Sequence, residues 1–516
     1  MKPRTLTTAT STLLMLSVFG LAACDSETAT PEALAMRGAD FGPRLDLAPH
    51  AIDIDASELD GAWLQTLDLR ELDPERSHVV FLQSPNPDDT LVARDPESGE
   101  LLGEAEPVQV LYTDLGKLHV SRIELAEGTK LAQLVGQLQP SARPHRMLFC
   151  DEVVTEHADA VPGSLRDAVA RVRAGGSVCF DPQAFAIDTE AEVIGHIEIV
   201  DDIHIHGLPT RPVLRSDGGD RLLTFAPGTD ATMDDVVLAD GGHVDGGGLL
   251  RSSGRLRAER VGFIGGSALE GGAIYSDGQL WLTDCQVDNS FAVDGGGIFS
   301  SYGEVTLVGT AVRGNEGAHR GGGVFGHNAR FVMRGGTAIS GNYAVDAGGG
   351  MYLRATAFVG DNTLWNASLT ANVSDGDGGA VFLEHARLVI SSNPTAPLQD
   401  VIHGNRAARG GGVALDDGAY FELAGDTRVV DNAAISGGGV FSSGTVELGG
   451  SAKLLDNYAA QDGGGAVIAT GTLRASGAAT IEGNTAVRLG GGVRLDGGLY
   501  TGLPAAVLGN VPTDIE

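Results

Sequence analysis

Basic residues are scarce in this sequence. It contains 35 Lys and Arg against 68 Asp and Glu, and residues 201–516 hold a single lysine, Lys453. A surface with this balance repels nucleic acid, anionic lipid and anionic polysaccharide. The composition therefore excludes a nucleic-acid-binding protein and offers an acidic substrate little positive charge to bind.

Long apolar runs are equally scarce, and the longest lies at the start. Residues 13–21 are apolar but too short to span a bilayer comfortably, they follow Lys2 and Arg4, and no later run reaches 18 apolar residues. The segment ends in LAAC, which resembles a bacterial lipobox, and this resemblance implies cleavage before Cys24 and lipidation, including palmitate, of that cysteine. We therefore expect residues 1–23 to be a lipoprotein signal peptide. The alternative is an ordinary signal peptide followed by an incidental cysteine.

Cleavage and cysteine content both point to an extracytoplasmic protein. Loss of residues 1–23 removes one Lys and one Arg, so 33 basic and 68 acidic residues remain and the net charge becomes −35. In an oxidising compartment Cys150 and Cys179 can form a disulfide because they bracket one short segment. We expect Cys285 to be a small buried residue.

Composition divides the remaining chain into four parts. Residues 24–45 are small and polar and predict a flexible tether. Residues 46–147 alternate apolar and polar positions between turn signals, which predicts a small β-rich domain of no recognised type. Residues 148–239 predict the N-terminal cap and first coils of a β-helix, and residues 240–516 its repetitive part.

The cap prediction rests on VPGSLRDAVARVRAGG at residues 161–176. Ser164 can cap a helix, an apolar stripe begins at Leu165, and Gly175 and Gly176 end it. The segment resembles the GSLREAI-type opening of many secreted bacterial β-helix proteins. That resemblance implies an amphipathic helix that plugs the open end of the strand stack.

A repeat of about 27 residues dominates the C-terminal part. An asparagine is followed five or six residues later by a glycine pair or triple and an aliphatic residue, and Asp240 and Gly265 take the same place upstream; the asparagines are Asn289, Asn315, Asn342, Asn372, Asn405, Asn432, Asn457, Asn484 and Asn510. Three strand-like pieces separate successive glycine runs. This pattern predicts a right-handed parallel β-helix of the pectin lyase-like class, with glycines at turns that need positive φ and stacked asparagines in a ladder.

The repeat is also similar to the GGA-I/V repeats of polymorphic outer membrane proteins. That resemblance covers residues 240–516 and implies a surface location. Those proteins end in a membrane barrel, whereas this sequence ends six residues after Asn510, so we expect the lipid on Cys24 to provide the anchor.

An aromatic row follows the glycine runs. Its members stand just after the aliphatic residue in successive coils: Tyr275, Phe299, Phe325, Tyr352 and Phe382. Such a row can face outward and stack on sugar rings, or it can fill the β-helix core. We expect the interior position.

Metal sites have weak support in the sequence. Acids recur before the glycines and could bind calcium between coils; the candidates in this region are Asp245, Glu270, Asp294, Asp346, Asp375, Asp377 and Asp462. His204 and His206 share a strand face with Asp202 and have ligand spacing. The simpler interpretation is solvated side chains, so we expect no cofactor, with calcium as the alternative.

Catalytic motifs of β-helix enzymes are not evident. Pectin-type lyases need a basic residue as general base and cations that hold the carboxylate, and related hydrolases carry NTD and GHG strings. Neither set occurs here, and Asp375 with Asp377 is the best carboxylate pair. We therefore expect a non-enzymatic, lipid-anchored adhesin or structural protein of the outer membrane or cell surface, with cell-surface glycans or envelope proteins as partners. A polysaccharide-active enzyme is the alternative, and the periplasmic face of the inner membrane remains open.

Overall fold

A computed structural model describes residues 51–54, 63–68, 77–113, 116–139, 141, 143, 145–186, 189–216, 219–356, 360–392, 399–502 and 506–516. The predictions about the signal peptide, Cys24 and the tether lie outside these residues. Within the described ranges, no helix is both long and apolar enough to cross a membrane.

The small N-terminal domain is an antiparallel β-sandwich. One sheet has the order β1-β9-β3-β7-β6 and the other β2-β8-β4-β5. The strands are β1 (Ala51–Ile54), β2 (Trp63–Asp68), β3 (His78–Ser84), β4 (Thr90–Arg94), β5 (Leu101–Glu104), β6 (Glu106–Thr113), β7 (Gly116–Leu125), β8 (Leu131–Gln137) and β9 (His145–Cys150). This confirms the β-rich domain expected from the alternating pattern.

The five-stranded sheet is apolar on both faces, which is why β3 is buried along its whole length. Val80 and Leu82 pack toward the four-stranded sheet. Val79 and Phe81 belong instead to the core of the C-terminal solenoid. The sandwich therefore covers the N-terminal end of the solenoid.

The predicted helix is present as α1 (Leu165–Arg171). The Ser164 hydroxyl accepts a hydrogen bond from the Asp167 amide, and the Asp167 carboxylate accepts one from the Gly163 amide at 2.7 Å. Leu165 and Ala168 enter the same core as β3. The helix and the sandwich therefore both cover the N-terminal end of the solenoid, a role that the sequence pattern assigned to the helix alone.

The rest of the chain is a parallel β-solenoid of about 13 turns. A coil supplies four short strands: Ile298–Ser301, then Glu304–Val308 and Ala311–Arg313, then Glu316–Arg320. The two middle strands join a 25-stranded wide sheet, and the others join a 12-stranded and a 10-stranded sheet. The strand after each asparagine is only two to five residues long, so the sequence pattern showed three pieces and not four.

Two of the sheets meet at the glycine runs. The 12-stranded sheet, called the ring sheet here, contains Ile197–Ile199, Leu223–Phe225, Leu250–Ser252, Ile274–Ser276, Ile298–Ser301, Val324–His327, Met351–Arg354, Val381–Glu384, Val413–Leu415, Val440–Ser442, Ala466–Ile468 and Val493–Leu495. The 10-stranded sheet, called the narrow sheet, contains Gly242–Gly246, Ser267–Glu270, Phe291–Asp294, Glu316–Arg320, Tyr343–Ala344, Val373–Ser374, Arg406–Arg409, Ala433–Ser436, Tyr458–Ala459 and Thr485–Ala486. The wide sheet runs from Glu152–Val154 to Val507–Leu508.

The asparagine ladder exists and begins at Asn315. Each ladder side chain donates to the amide oxygen of the next, for example Asn315 Nδ2 to Asn342 Oδ1 at 3.0 Å, and the column is buried as far as Asn510. Asn289 does not belong to it. Its backbone is left-handed, with φ 53°, and the neighbouring Ser290 amide donates to Asn315 Oδ1. The sequence register was one residue too early there, and at Asp240 and Gly265, which also have positive φ.

The glycine runs combine two different backbone requirements. The first glycine of a run has positive φ, as in Gly321 (64°) and Gly348 (68°). The second glycine is needed for close approach, because a Cβ on Gly322 or Gly349 would lie 2.3 Å from a backbone oxygen of the next coil. The prediction of positive φ is therefore right for the first glycine of these runs. Gly322 and Gly349, the second glycines, do not have positive φ.

Candidate functional site

The outer side of the glycine corner, where the narrow sheet turns into the ring sheet, brings most of the predicted site residues together. Two columns of outward side chains flank the corner. One is the aromatic row. The other runs through Glu270, Asp294, Arg320, Ala347, Asp377 and Arg409, which are paired in register from coil to coil. We call this surface the corner groove.

The aromatic row lies on the outer face of the ring sheet, so the expected interior position is wrong. Ile298 and Ser300 on either side of Phe299 are fully buried, and Ile298 belongs to the solenoid core. Phe299 instead forms a separate apolar cluster with Phe325 and Tyr352. Alternation along a strand places such neighbours on opposite faces, and the narrower aliphatic residues fill the interior.

The rings stack on one another. Centroid distances are 5.5 Å for Tyr275–Phe299, 4.8 Å for Phe299–Phe325, 5.0 Å for Phe325–Tyr352 and 5.1 Å for Tyr352–Phe382, with interplanar angles of 4° to 19°. The three inner rings are only 3–5% exposed. A sugar stacks on an open aromatic face, and both faces of each inner ring already contact another ring. The row therefore joins coils and does not form an open platform.

Arginines from the second column lie against the rings. The Arg320 guanidinium is 5.2 Å from the Phe325 centroid and 5.4 Å from that of Tyr352, while it donates to Asp294 at 2.7 and 3.1 Å. Burial opposes the charge of Arg320, but the hydrogen bonds to Asp294 outweigh it and raise the pKa of the guanidinium. The cation is therefore fixed between a carboxylate of one coil and the rings of its own and the next coil.

The row is interrupted at Ala414, which stands in register between Phe382 and Phe441. Arg409 lies 5.0 Å from the Phe441 centroid and pairs with Asp377. The Arg409 guanidinium thus lies against the ring that follows the interruption.

Five of the seven carboxylates singled out as metal candidates have a partner of another kind. Asp294 pairs with Arg320 and Asp377 with Arg409, and the others contact His319, Tyr343 and Arg488: Asp346 at 2.7 Å, Asp375 at 2.6 Å and Asp462 at 3.7 Å, respectively. Across the part of the chain that the structure describes, no group of three or more His, Cys, Asp or Glu residues is arranged to hold a metal ion. Calcium binding by these acids is thus a hypothesis without a preformed ligand set.

Glu270, the first acid of the column, lies next to another acid. Glu270 and Asp294 lie in register on adjacent coils. Burial and the Asp294 carboxylate raise the pKa of Glu270. One like-charge pair does not form a catalytic acid and base by itself, since Asp294 is held by Arg320.

His204 and His206 lie elsewhere, where the sandwich meets the solenoid. Ile203 and Ile205 point into the core, and the two histidines are buried and not, as expected, solvated. The ring nitrogen Nδ1 of His204 is 2.8 Å from Thr232 Oγ1, and that of His206 is 2.7 Å from Asp234 Oδ2. These contacts give the histidines a structural role.

Arg146 of β9 inserts into this junction. Its guanidinium contacts Asp234 at 3.1 Å and Asp235 at 2.5 Å, and Arg260 holds Asp235 from the other side. Burial opposes the ionised form of Asp234, but His206, Arg146 and Arg260 outweigh burial and lower its pKa to about 2. This ionic junction was not predicted, because no local pattern links Arg146 to residues 89 positions away.

The disulfide has the predicted partners. Cys150 and Cys179 are bonded, with Cα atoms 5.7 Å apart. The bond joins β9 of the sandwich to the strand Gly176–Phe180 of the first coil. Cys285 is a buried free thiol, and burial raises its pKa to about 12, so it is an unreactive core residue.

The sandwich contains an open cleft of about 670 Å³ that the sequence did not indicate. Ser84, Asp89 and His119 are among its lining residues. Asp89 accepts hydrogen bonds from the Ser84 hydroxyl and the Gln139 amide and lies 2.6 Å from His145 Nε2. Because the Asp89 carboxylate contacts both the Ser84 hydroxyl and the His145 ring, Ser84 and His145 do not form a nucleophile and base pair.

Comparison with known proteins gives only remote similarity. No family model and no curated protein matches the chain. Among solved structures, the catalytic domain of a GH87 alpha-1,3-glucanase in complex with nigerose has a TM-score of 0.21 at 10% identity, covering 90% of this chain and 92% of the other. The Agl-KA catalytic domain has a TM-score of 0.27 at 10% identity, covering 87% and 97%. At these values the similarity carries no argument about activity.

Proposed function

We propose that this chain is a non-enzymatic, lipid-anchored protein of the cell envelope whose solenoid serves as a stiff surface element for adhesion or envelope structure. Its anchor is the lipid on Cys24, and its location is the outer membrane or the cell surface. The observation that carries the proposal is that the rings, arginines and carboxylates of the corner groove contact one another.

Stiffness is supported by three kinds of contact that all run from coil to coil. The asparagine ladder is buried and continuous, as in the 3.0 Å bond from Asn342 Nδ2 to Asn372 Oδ1. The ring stack adds close aromatic contacts, and the arginine pairs add charge-assisted hydrogen bonds. Because each coil is bonded to the next at several points of its circumference, bending the solenoid would strain all of these contacts together.

The competing assignment is a polysaccharide-active enzyme. It requires an unpaired acid and base, or two carboxylates at hydrolase spacing, in a cleft on adjacent coils. The best carboxylate pair of the sequence is divided in the structure, since Asp375 accepts from Tyr343 and Asp377 pairs with Arg409. These partners favour a structural role for the groove.

An adhesion assay tests the proposed function directly. Cells that produce the wild-type chain are compared with cells that produce the Cys24→Ser variant, for membrane retention and for attachment to glycan-coated and cell-coated surfaces. We expect the variant to leave the membrane fraction and the cells to lose the added attachment. Unchanged membrane partitioning would contradict the anchor, and equal attachment despite release would contradict the adhesive role.

A further inference from the structure

The narrow sheet carries an unusual share of exposed apolar side chains. Of the 16 large hydrophobic residues exposed within the described ranges, eight lie on this sheet or directly beside its strands. Four belong to its first half: Val244, Leu269, Phe291 and Val345. Four belong to its second half: Ile435, Tyr458, Val487 and Val511. We call these eight residues the apolar stripe.

The stripe faces away from the solenoid interior. Ala434 and Ala459 of the same strands are buried, whereas the adjacent Ile435 and Tyr458 are 47% and 45% exposed. On a chain with 68 acidic residues, a concentration of exposed apolar side chains along one sheet indicates an interaction surface.

The charges along the narrow sheet are divided between its two halves. Residues 242–377 of the sheet and its strand ends carry seven acids and one arginine, a balance of −6; these are Asp245, Glu270, Asp294, Glu316, Asp346, Asp375, Asp377 and Arg320. Within residues 406–489, the narrow sheet and its strand ends carry three arginines and one acid, a balance of +2; these are Arg406, Arg409, Arg488 and Asp462.

We propose that the apolar stripe binds a second copy of this chain in antiparallel orientation. An antiparallel pair places the acidic half of each stripe against the basic half of the other, and it does so twice because the contact is two-fold symmetric. A parallel pair would instead place the two acidic halves together. The charge pattern therefore favours a second copy of the chain as the partner and an antiparallel orientation of the pair.

The available area suits such a dimer. Ten strands spaced at ~4.8 Å give a length of roughly 43 Å, and strands of two to five residues give a width of roughly 7 to 16 Å. The product is roughly 300 to 700 Å² per copy, or roughly 600 to 1,400 Å² in total, and its upper end reaches the range of specific protein interfaces.

The orientation has a consequence that rests on the proposed lipid anchor. In an antiparallel pair the two N-terminal ends lie at opposite ends of the interface. Two anchored copies therefore belong to two facing membranes, so the adhesion would be homotypic, between cells that carry the same protein.

Self-association in solution tests this inference without the anchor. Sedimentation of the purified chain carrying Cys24→Ser should show a concentration-dependent dimer, and Ile435→Asp with Val487→Asp should raise its Kd at least tenfold. The matched control is Ile194→Asp with Val200→Asp, at similarly exposed apolar residues (54% and 64%) outside the stripe, which should leave the Kd unchanged. A chain that stays monomeric at every concentration, or an equal effect of both double variants, would overturn the inference while leaving membrane retention as a separate question.

Charge reversal tests the orientation. In an antiparallel dimer, Glu316→Arg with Asp346→Arg removes attraction and should weaken association several-fold, and Arg406→Glu with Arg488→Glu should weaken it further because both contacts become repulsive. In a parallel dimer the first pair would relieve acid–acid repulsion. Tighter association of the Glu316→Arg, Asp346→Arg variant would therefore overturn the antiparallel arrangement.

Discussion

Asn405 offers the sharpest test of the asparagine ladder. Its side chain is fully buried, donates to Leu369 O at 3.0 Å and to Asn432 Oδ1 at 2.9 Å, and accepts from the amide and the side chain of Asn372 at 2.8 and 3.1 Å. Asn405→Ala leaves a carbonyl, an amide and a side-chain N–H without partners inside the solenoid.

The expected loss follows from these three groups. A buried polar group left unpaired costs roughly 1–3 kcal/mol, and relaxation of neighbouring coils recovers part of that cost. We therefore expect Asn405→Ala to destabilise the solenoid by about 3–6 kcal/mol, measured as a lower denaturation midpoint by circular dichroism and as faster hydrogen exchange in the coils on either side.

Asn289→Ala is the matched control. Asn289 is exposed, with φ 53°, and Ala371 occupies the equivalent left-handed place with φ 55°. Alanine is therefore tolerated there, and the loss should be about 1 kcal/mol or less. Equal shifts of midpoint and exchange in both variants would refute the ladder and its register.

Two further predictions concern the glycine corner and the domain junction. Gly322→Val with Gly349→Val should lower the melting temperature far more than Glu316→Val with Asp346→Val, because only the glycines would place a Cβ 2.3 Å from a backbone oxygen; equal melting temperatures would contradict the close approach. The pKa of Asp234 in the folded state, about 2, lies below the ordinary aspartate value of about 3.9, so its contribution is present above about pH 4 and is lost as the pH falls through about 2. Asp234→Asn should therefore reduce stability by about 2 kcal/mol at pH 7 in denaturant titrations, and a difference from wild type that persists unchanged at pH 2 would argue against the junction charges.

The architecture could be predicted from the sequence because the solenoid repeats its local chemistry. Glycine runs and asparagines recur once per coil. A backbone requirement that a single residue does not reveal therefore shows as a regular spacing along the sequence. The register at Asn289 could not be predicted in this way, because asparagine, aspartate and glycine also suit the left-handed place one residue earlier, as Asp240 and Gly265 show.

The direction of the aromatic row depends on packing that a strand pattern does not contain. Ile274 and Tyr275 are adjacent and both apolar, so alternation leaves either one free to face inward. The structure places the isoleucine inside and the tyrosine in the corner groove. The junction of Arg146 with Asp235 is a contact between distant segments, which only the docked sandwich brings together.

Turnover on polysaccharides tests the central claim, that the corner groove joins coils and does not catalyse, most directly. The purified chain, with and without calcium, is incubated with a panel that includes α-1,3-glucan, and unsaturated uronate absorbance and reducing ends are followed. The account predicts neither signal. Reproducible turnover that Asp375→Asn or Asp377→Asn abolishes, and that Asp462→Asn leaves intact, would contradict it.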